Sequence, residues 1–440
     1  MIKFKSVFLF AFISVLYLSC SSSADVLDDD TIIIDPDPVV NSRPNILLVI
    51  ADDLGKDATP NYTEGSTKPN MPTLQSLISS GITFDNLWSY PVCTPTRSSI
   101  LTGKYGVKTG VLEVGDIIST AETSVQKYIS DNTGNEYATA IVGKWHLSNN
   151  ASDPITMGID YYAGLLNGGV QSYTNWNLVE NGQSSVSTEY TTTKFTDLAI
   201  DWVGNQTKPW FLWLAYNAPH TPFHLAPTNL HSQGNLPTDQ ASIDANPEPY
   251  FMSAVEALDT EFGRLLSSMS TEERANTIII FIGDNGTPNQ VAQSPYSSRR
   301  VKGTIYQGGV NVPMIVSGAG VSRFGARESA LAHTTDLYAT IANAAGISVQ
   351  GINNSTSFYD MLTDSNAIER EFVYTERSSN GNYAIRDANY KLIVNDNGSQ
   401  ELYHLTIDAY EANDLIGTVL SAEATAAKIA LEAEAASIRQ

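Results

Sequence analysis

Two acidic doublets lie far apart in this chain, each directly after an apolar run of strand length. Asn45–Ala51 (NILLVIA) leads into Asp52-Asp53, and residues 277–282 (TIIIFI) lead through Gly283 into Asp284-Asn285-Gly286. Short, unbroken, β-branched-rich runs suit strands covered on both faces, as in a parallel sheet. In an open α/β sheet ligands bind beyond the carboxyl ends of the strands, so both doublets would be delivered to one place. Three carboxylates and an amide buried together call for a cation. Oxygen-only ligation selects Ca²⁺ or Mg²⁺ over zinc. Each doublet alone also has a local reading: Asp52-Asp53 as a helix cap, Asp284-Asn285-Gly286 as a turn.

A second constellation is Cys93-Thr94-Pro95-Thr96-Arg97, followed by Leu101-Thr102-Gly103. A lone Cys is commonly a small buried hydrophobe. Here Pro91 and Pro95 flank it, which places it in a loop feeding a helix that begins near Pro95. A helix N-terminus and the Arg97 guanidinium both favour an oxyanion there. Further along stand Gly143-Lys144-Trp145-His146, Ala218-Pro219-His220-Thr221-Pro222 and Lys302-Gly303. Taken singly, Lys144 also reads as a solvated lysine and His220 as a loop histidine.

These groups need a scaffold. Residues 210–215 (WFLWLA) and 312–316 (VPMIV) are further strands of the same character. Between the strands lie helical patterns: residues 71–80 around Pro72, residues 251–269 with Val255, Leu258, Phe262, Leu265 and Leu266 at three-to-four spacing, and residues 335–345. The alternation predicts an α/β sandwich over residues 44–346, with a large mixed, mostly parallel sheet between helices. After Gly346 the texture changes. Short strands at 372–375, 383–386, 391–394 and 401–404 alternate with Asn, Asp and Gly turns, and an Ala- and Glu-rich helix spans 421–439. They predict a smaller C-terminal subdomain, 347–440, of antiparallel sheet plus helix.

The chain has 47 acidic and 25 basic residues, so its formal net charge is 25 − 47 = −22. That excludes a nucleic-acid binder, which needs a basic surface, and obliges any anionic substrate to find a local basic pocket. The two cysteines, Cys20 and Cys93, are not placed to pair. Residues 1–5 are short and basic, residues 7–18 are apolar, and Leu18-Ser19-Cys20 follows. The run is too short for a membrane span. A small residue and then Cys resembles a bacterial lipobox, although Tyr17 stands where an aliphatic residue is commoner; a plain signal peptide is the other reading. Residues 1–19 are then a lipoprotein-type signal peptide and Cys20 the lipidated residue. Residues 20–43, with Asp28-Asp29-Asp30 and Asp35-Pro36-Asp37-Pro38, form an extended tether. The expected location is the periplasm or the outer-membrane surface, with the membrane touched through the lipid anchor alone.

Cys93-x-Pro95-x-Arg97 with Leu101-Thr102-Gly103 resembles the signature of the type I, formylglycine-dependent sulfatases of the alkaline phosphatase superfamily. Six further segments resemble that family in its own order. They are Pro44 through Asp53, residues 143–146, residues 218–222, residues 284–286, Lys302-Gly303 with Gly308-Gly309 and Pro313, and residues 387–392 with Glu401-Leu402-Tyr403. The resemblance implies that a maturation enzyme oxidises Cys93 to formylglycine (3-oxoalanine). It implies that Asp52, Asp53, Asp284, Asn285 and the modified Cys93 hold Ca²⁺, with Mg²⁺ the other candidate. Arg97 would steady the hydrated aldehyde, and Lys144 and Lys302 would bind sulfate oxygens. His220, with Lys302, would protonate the leaving alkoxide, and His146 would take the proton that lets sulfate depart. His224, Arg299 and Arg300 are candidates for the substrate pocket, and Tyr173 and Trp176 either stack on a sugar or pack internally. Thr96 departs from the commoner Ser or Ala. Gln307 and Asn311 depart from an acid and an Arg, which bears on the pocket wall. The expected activity is hydrolysis of sulfate esters on a polysaccharide or oligosaccharide, as in exported bacterial carbohydrate sulfatases. Two alternatives are open: a phosphodiester or phosphonate hydrolase using the same site, and a catalytically dead sulfated-glycan binding lipoprotein.

Overall fold

The computed structural model describes residues 43–367, 370–377 and 381–440. The lipobox with Cys20, and all but the last residue of the tether, lie outside the described residues. Ten strands form one mixed sheet: β1 (Asn45–Ala51), β2 (Gly81–Trp88), β3 (Ala138–Lys144), β4 (Tyr161–Leu165), β5 (Trp176–Glu180), β6 (Gln183–Ser187), β7 (Trp210–Tyr216), β8 (Thr277–Gly283), β9 (Asn311–Gly318) and β10 (Ala326–His333). Their order is β10-β2-β9-β8-β1-β7-β3-β4-β5-β6. The central run β8-β1-β7-β3-β4 is parallel. β9 and the β5–β6 hairpin are antiparallel, so residues 312–316 join the sheet in the opposite sense to the other early strands.

The unbroken apolar run in β1 has a direct cause. Leu47 and Val49 point into one core cluster, and Ile46, Leu48 and Ile50 into the other. Both faces are dry, so the two-residue period of the strand offers no polar position. The helices Pro72–Ser80, Thr191–Gly204 and Glu248–Ser268 cover the first face through Leu74, Phe195, Phe251 and Leu258. The helices Cys93–Thr102, Val125–Thr133 and Asp336–Ala344 cover the second through Ile100, Ile129 and Ile341. Fully burying one such side chain contributes about 1.5–3 kcal/mol. Strand β2 is less plain in sequence because its pairing shifts between Phe84 and Leu87, where Asp85 and Asn86 interrupt the apolar pattern.

Beyond a small hairpin of β11 (Gly351–Ile352) and β12 (Ser355–Thr356), four antiparallel strands follow in chain order: β13 (Val373–Glu376), β14 (Tyr383–Arg386), β15 (Tyr390–Val394) and β16 (Gln400–His404). The helix Ala422–Arg439 packs on one face through Leu431 and Ala435. The other face sets Val373, Ala384 and Ile393 against Trp88, Val310 and Leu331 of the large sheet. Residues Ser42–Gln440 form one compact unit, so the small sheet is an appendage of the main body.

Gly143 shows how tightly the sheet controls the site above it. It lies at φ 107° just before Lys144, and a Cβ there would sit 2.0 Å from the Ala215 carbonyl oxygen. Gly143→Ala is expected to cost about 3 kcal/mol or more, read as a lowered urea midpoint or loss of soluble protein; an unchanged midpoint would contradict this account of the strand end.

Candidate active site

Four adjacent parallel strands deliver the polar groups to one place. β1 ends in Asp52-Asp53, β8 in Asp284-Asn285, β3 in Lys144 followed by His146, and β7 leads to Asn217 and His220. Cys93 enters from the side on the turn after β2. Its helix begins at Cys93 itself and not near Pro95. Proline in the first turn is compatible with a helix that has already begun, so Pro95 does not mark its start. The helix has no side-chain N-cap, so its first amides are free to face a ligand.

Three carboxylates, Asp52, Asp53 and Asp284, are fully buried. Each meets a cation of the protein. Lys144 Nζ lies 2.5 Å from Asp52 Oδ2, Lys302 Nζ 2.5 Å from Asp53 Oδ2, and Arg97 Nη2 2.8 Å from Asp284 Oδ2. Contrary to the expectation from sequence, burial of three acids does not by itself demand a metal here, because the chain supplies three matching positive charges. The case for a metal rests on other features. Among the described residues, Asp52 Oδ1 and Asn285 Oδ1 are buried without any hydrogen-bond partner. Ligand atoms of Asp52, Cys93 and Asp284, and separately of Asp52, Asp53 and His220, converge within 4.8 Å. Asn285 Nδ2 donates to Asp53 Oδ1 at 2.8 Å and the Asp53 amide donates to Asp284 Oδ1 at 3.0 Å, which fixes the acids relative to one another. A hard divalent cation fits this oxygen-rich donor set. It would turn a balanced cluster into a net positive one, the local basic centre that an acidic chain needs in order to accept an anion.

The electrostatics sort the remaining groups. Burial would raise the Asp52 carboxyl, but Lys144, His220, Arg97 and Lys302 together hold it below the usual range. Burial, and then repulsion from Asp52, pushes Asp284 up to about 7. Burial likewise pushes the Cys93 thiol up to about 11 against the pull of Lys144, so as a thiol it stays protonated at neutral pH. Burial, reinforced by Lys144 and Arg97, lowers His146 to about 2 and keeps its ring neutral. His146 Nδ1 lies 3.2 Å and Lys144 Nζ 3.4 Å from Cys93 Sγ. Arg97, fully buried, also donates to the Lys144 carbonyl at 2.8 Å. Asp53 and His146 both hold left-handed backbone, φ 71° and 55°. Non-glycine residues adopt that conformation mostly where local structure imposes it, and such positions cluster at functional sites.

The substrate-pocket candidates fall elsewhere. His224 stacks on Tyr173 at 3.8 Å between centroids, and its nitrogens lie 2.9 Å from Tyr190 Oη and 3.0 Å from the Pro222 carbonyl. Both polar atoms are engaged within the chain. Arg300 lies over the Tyr306 ring at 4.2 Å and donates to the Glu411 carbonyl, which makes it a strut to the C-terminal segment. Arg299 is exposed, with no side-chain partner among the described residues. Trp176 packs edge-on against Phe195 in the core. Tyr173 is buried too, and its hydroxyl reaches the carbonyls of Asn217 at 2.9 Å and His220 at 2.5 Å. It therefore holds the loop that carries His220, a positioning role the sequence did not reveal. His220 Nδ1 donates to the Thr221 carbonyl at 2.7 Å, which turns Nε2 toward Asp53 Oδ2, 3.8 Å away. Thr94, 3.3 Å from the His146 ring, is a further neighbour missed by motif reading, although it sits inside the Cys93 motif.

The fold and centre define an α/β protein with a buried, charge-balanced polar site at the carboxyl ends of its parallel strands. The chain belongs to the sulfatase family, whose model matches residues 44–347. It is 28% identical over 328 residues to arylsulfatase J of Mus musculus, covering 69% of this chain and 53% of that protein. It is 29% identical over 371 residues to the uncharacterized sulfatase YdeN of Escherichia coli (strain K12), covering 70% and 63%. The chain thus spans between half and two thirds of the length of these relatives. Among solved structures, Ps i-CgsB in complex with k-i-k-neocarrahexaose has a TM-score of 0.75 at 26% identity, covering 89% of this chain and 92% of that one.

Two outcomes follow from this geometry. In dialysed protein, a divalent cation at about 100 times its Kd is expected to stabilise the fold by about 2.7 kcal/mol. Asp52→Ala and Asn285→Ala should remove that thermal shift; a shift preserved in both would place the ion elsewhere. Burial lowers His224 to about 4. Below pH 6.5 the unfolded chain binds a proton there that the folded chain does not, so this contribution to stability falls with falling pH. By pH 4 the loss reaches about 3 kcal/mol. His224→Gln should lose correspondingly less stability than wild type between pH 6.5 and 4 in urea titrations, and parallel curves would contradict the assignment.

Proposed function

We propose that this protein hydrolyses sulfate esters on a polysaccharide or oligosaccharide outside the cytoplasm, through a formylglycine made from Cys93. The observation that carries this reading is the position of Cys93. It is the first residue of a buried helix, between Lys144 and His146, beside the acidic cluster. A protonated, buried thiol is a weak nucleophile, so the surrounding machinery has little use for it in that state. An aldehyde hydrate carries two hydroxyls on one carbon: one attacks sulfur, and loss of a proton from the other expels sulfate. A plain alcohol would be left as a stable ester.

The chain's residues then have distinct tasks. Arg97, held by Asp284 and the Lys144 carbonyl, steadies the hydrate. Lys144 and Lys302 place ammonium charge where sulfate oxygens develop charge. Neutral His146 accepts the proton from the second hydroxyl. His220, with Nδ1 tied to Thr221, delivers a proton from Nε2 to the leaving alkoxide, with Lys302 alongside. Asp52, Asp53, Asp284, Asn285 and the modified Cys93 would hold the cation, for which we propose Ca²⁺ with Mg²⁺ the alternative. When bound it lowers the pKa of the attacking hydroxyl and offsets charge on the sulfate. Export as a lipoprotein anchored at Cys20, with residues 20–43 as tether, suits a polymeric or fragmentary glycan met at the periplasm or cell surface. The glycan assignment also draws on Ps i-CgsB, whose structure contains a neocarrahexaose.

The test is a panel of sulfate esters, phosphodiesters and phosphonate esters assayed on one preparation made alongside a maturation enzyme. The expected result is that a sulfate ester gives the highest kcat/KM and that Lys144→Ala and His146→Ala each lower kcat by about 10²–10⁴-fold. Phosphodiester turnover above that of every sulfate ester would replace this reading with a phosphodiesterase. Turnover of no ester at all would leave a glycan-binding lipoprotein.

A further inference from the structure

The β5–β6 hairpin ends the large sheet at its far edge. Asn177 and Val179 on β5 pair with Val186 and Ser184 on β6, and all four line one cleft of 530 Å³. Residues of the 165–171 segment also line it, Gly169 among them. That segment lies against the two histidines of the site. A Cβ on Gly168 would come within 2.5 Å of the His146 ring, and one on Gly169 within 3.3 Å of the His220 ring. The cleft and the catalytic centre therefore share a wall.

The lining has a distinct chemistry. None of its residues is charged, in a chain with 47 acidic and 25 basic residues. Its main polar groups are the amides of Asn149, Asn167, Gln171, Asn175 and Asn177. None of these side chains has a hydrogen-bond partner among the described residues. Each amide offers two donors and an acceptor, the inventory that matches neighbouring sugar hydroxyls. Val186, 72% exposed, adds apolar surface for the C–H face of a pyranose. The volume lies within the range of about 300–1,000 Å³ usual for small-ligand sites. A second sulfate or a uronate would find no cation here. A separate cavity lined by Lys56, Asp85, Arg327 and Arg386 is charged and opposite in character.

We propose that this amide-lined cleft is a subsite for an uncharged sugar unit adjoining the sulfated one, so that the enzyme selects glycans whose neighbouring unit on that side bears neither sulfate nor carboxylate. The identity of the neighbour rests on the sulfatase reading; the binding of a neutral sugar does not.

The full chain is titrated with neutral hexasaccharides of galactose, glucose and mannose, followed by calorimetry. At least one is expected to bind with a Kd in the millimolar range or tighter. The double variant Asn175→Ala/Asn177→Ala should weaken that binding about tenfold, with an unchanged Tm because both side chains are exposed and unpartnered. Wild type that binds none of the three, or a double variant that binds as wild type does, overturns the subsite. The probes carry no sulfate, so the readout is independent of catalysis. Sugar binding without any ester turnover would defeat the proposed function and leave the cleft standing, and turnover without sugar binding would do the reverse.

Discussion

The site depends on Arg97. Its guanidinium is wholly buried, with one nitrogen on the Lys144 carbonyl at the end of β3 and the other on the Asp284 carboxylate at the end of β8. One side chain thus ties the Cys93 helix to two strands that flank β1 and β7. Removing one partner of such a buried charge pair costs about 3–5 kcal/mol, because the other is left unsolvated. The constraint extends outward. Three buried acids are balanced by Arg97, Lys144 and Lys302, so the position of each cation is set by an acid, and the position of each acid by a strand end. The left-handed backbone at Asp53 and His146 belongs to the same arrangement, since both residues turn the chain sharply enough to aim their side chains inward.

The same balance would resolve the conflict between an acidic chain and the anionic substrate proposed for it. The global charge of −22 governs the surface. The buried cluster is formally neutral on its own and becomes positive with a divalent cation. A sulfate ester would be recognised by that local excess, at short range and away from solvent screening. The amide-lined cleft beside it contributes no charge in either direction, so under the proposed function recognition of the sulfate would be separate from recognition of the sugar.

Much of the scaffold was legible because its strongest elements obey one rule each. β1 carries an unbroken apolar run since both faces are buried, and the helix Glu248–Ser268 shows its three-to-four spacing since one face is. The four strands and last helix of the C-terminal subdomain were marked by Asn, Asp and Gly turns. β2 was not legible, because Asp85 and Asn86 interrupt it at the pairing shift. β6, QSSVS, carries too few apolar residues to declare itself, although Asn181-Gly182 between β5 and β6 is a strong hairpin signal. At the site, motif order led to Asp52, Asp53, Cys93, Arg97, Lys144, His146, His220, Asp284, Asn285 and Lys302, which the structure brings together. For Arg300 and His224, sequence proximity to Lys302 and His220 says nothing of direction; one side chain turns toward Glu411 and the other toward Tyr190. Tyr173 was read as stacking on a sugar or packing internally; that its hydroxyl holds the His220 loop was not legible, because a buried hydroxyl that positions a loop leaves no spacing signature.

Under the proposed function Cys93 is a precursor and not the working group. This is tested most directly by mass spectrometry of the tryptic peptide containing Cys93, from protein produced together with a formylglycine-generating enzyme. The expected result is a peptide in which H₂S has been replaced by oxygen at Cys93 and which reacts with a hydrazide probe. An intact thiol at Cys93 under those conditions, in protein that still turns over a sulfate ester, would contradict it.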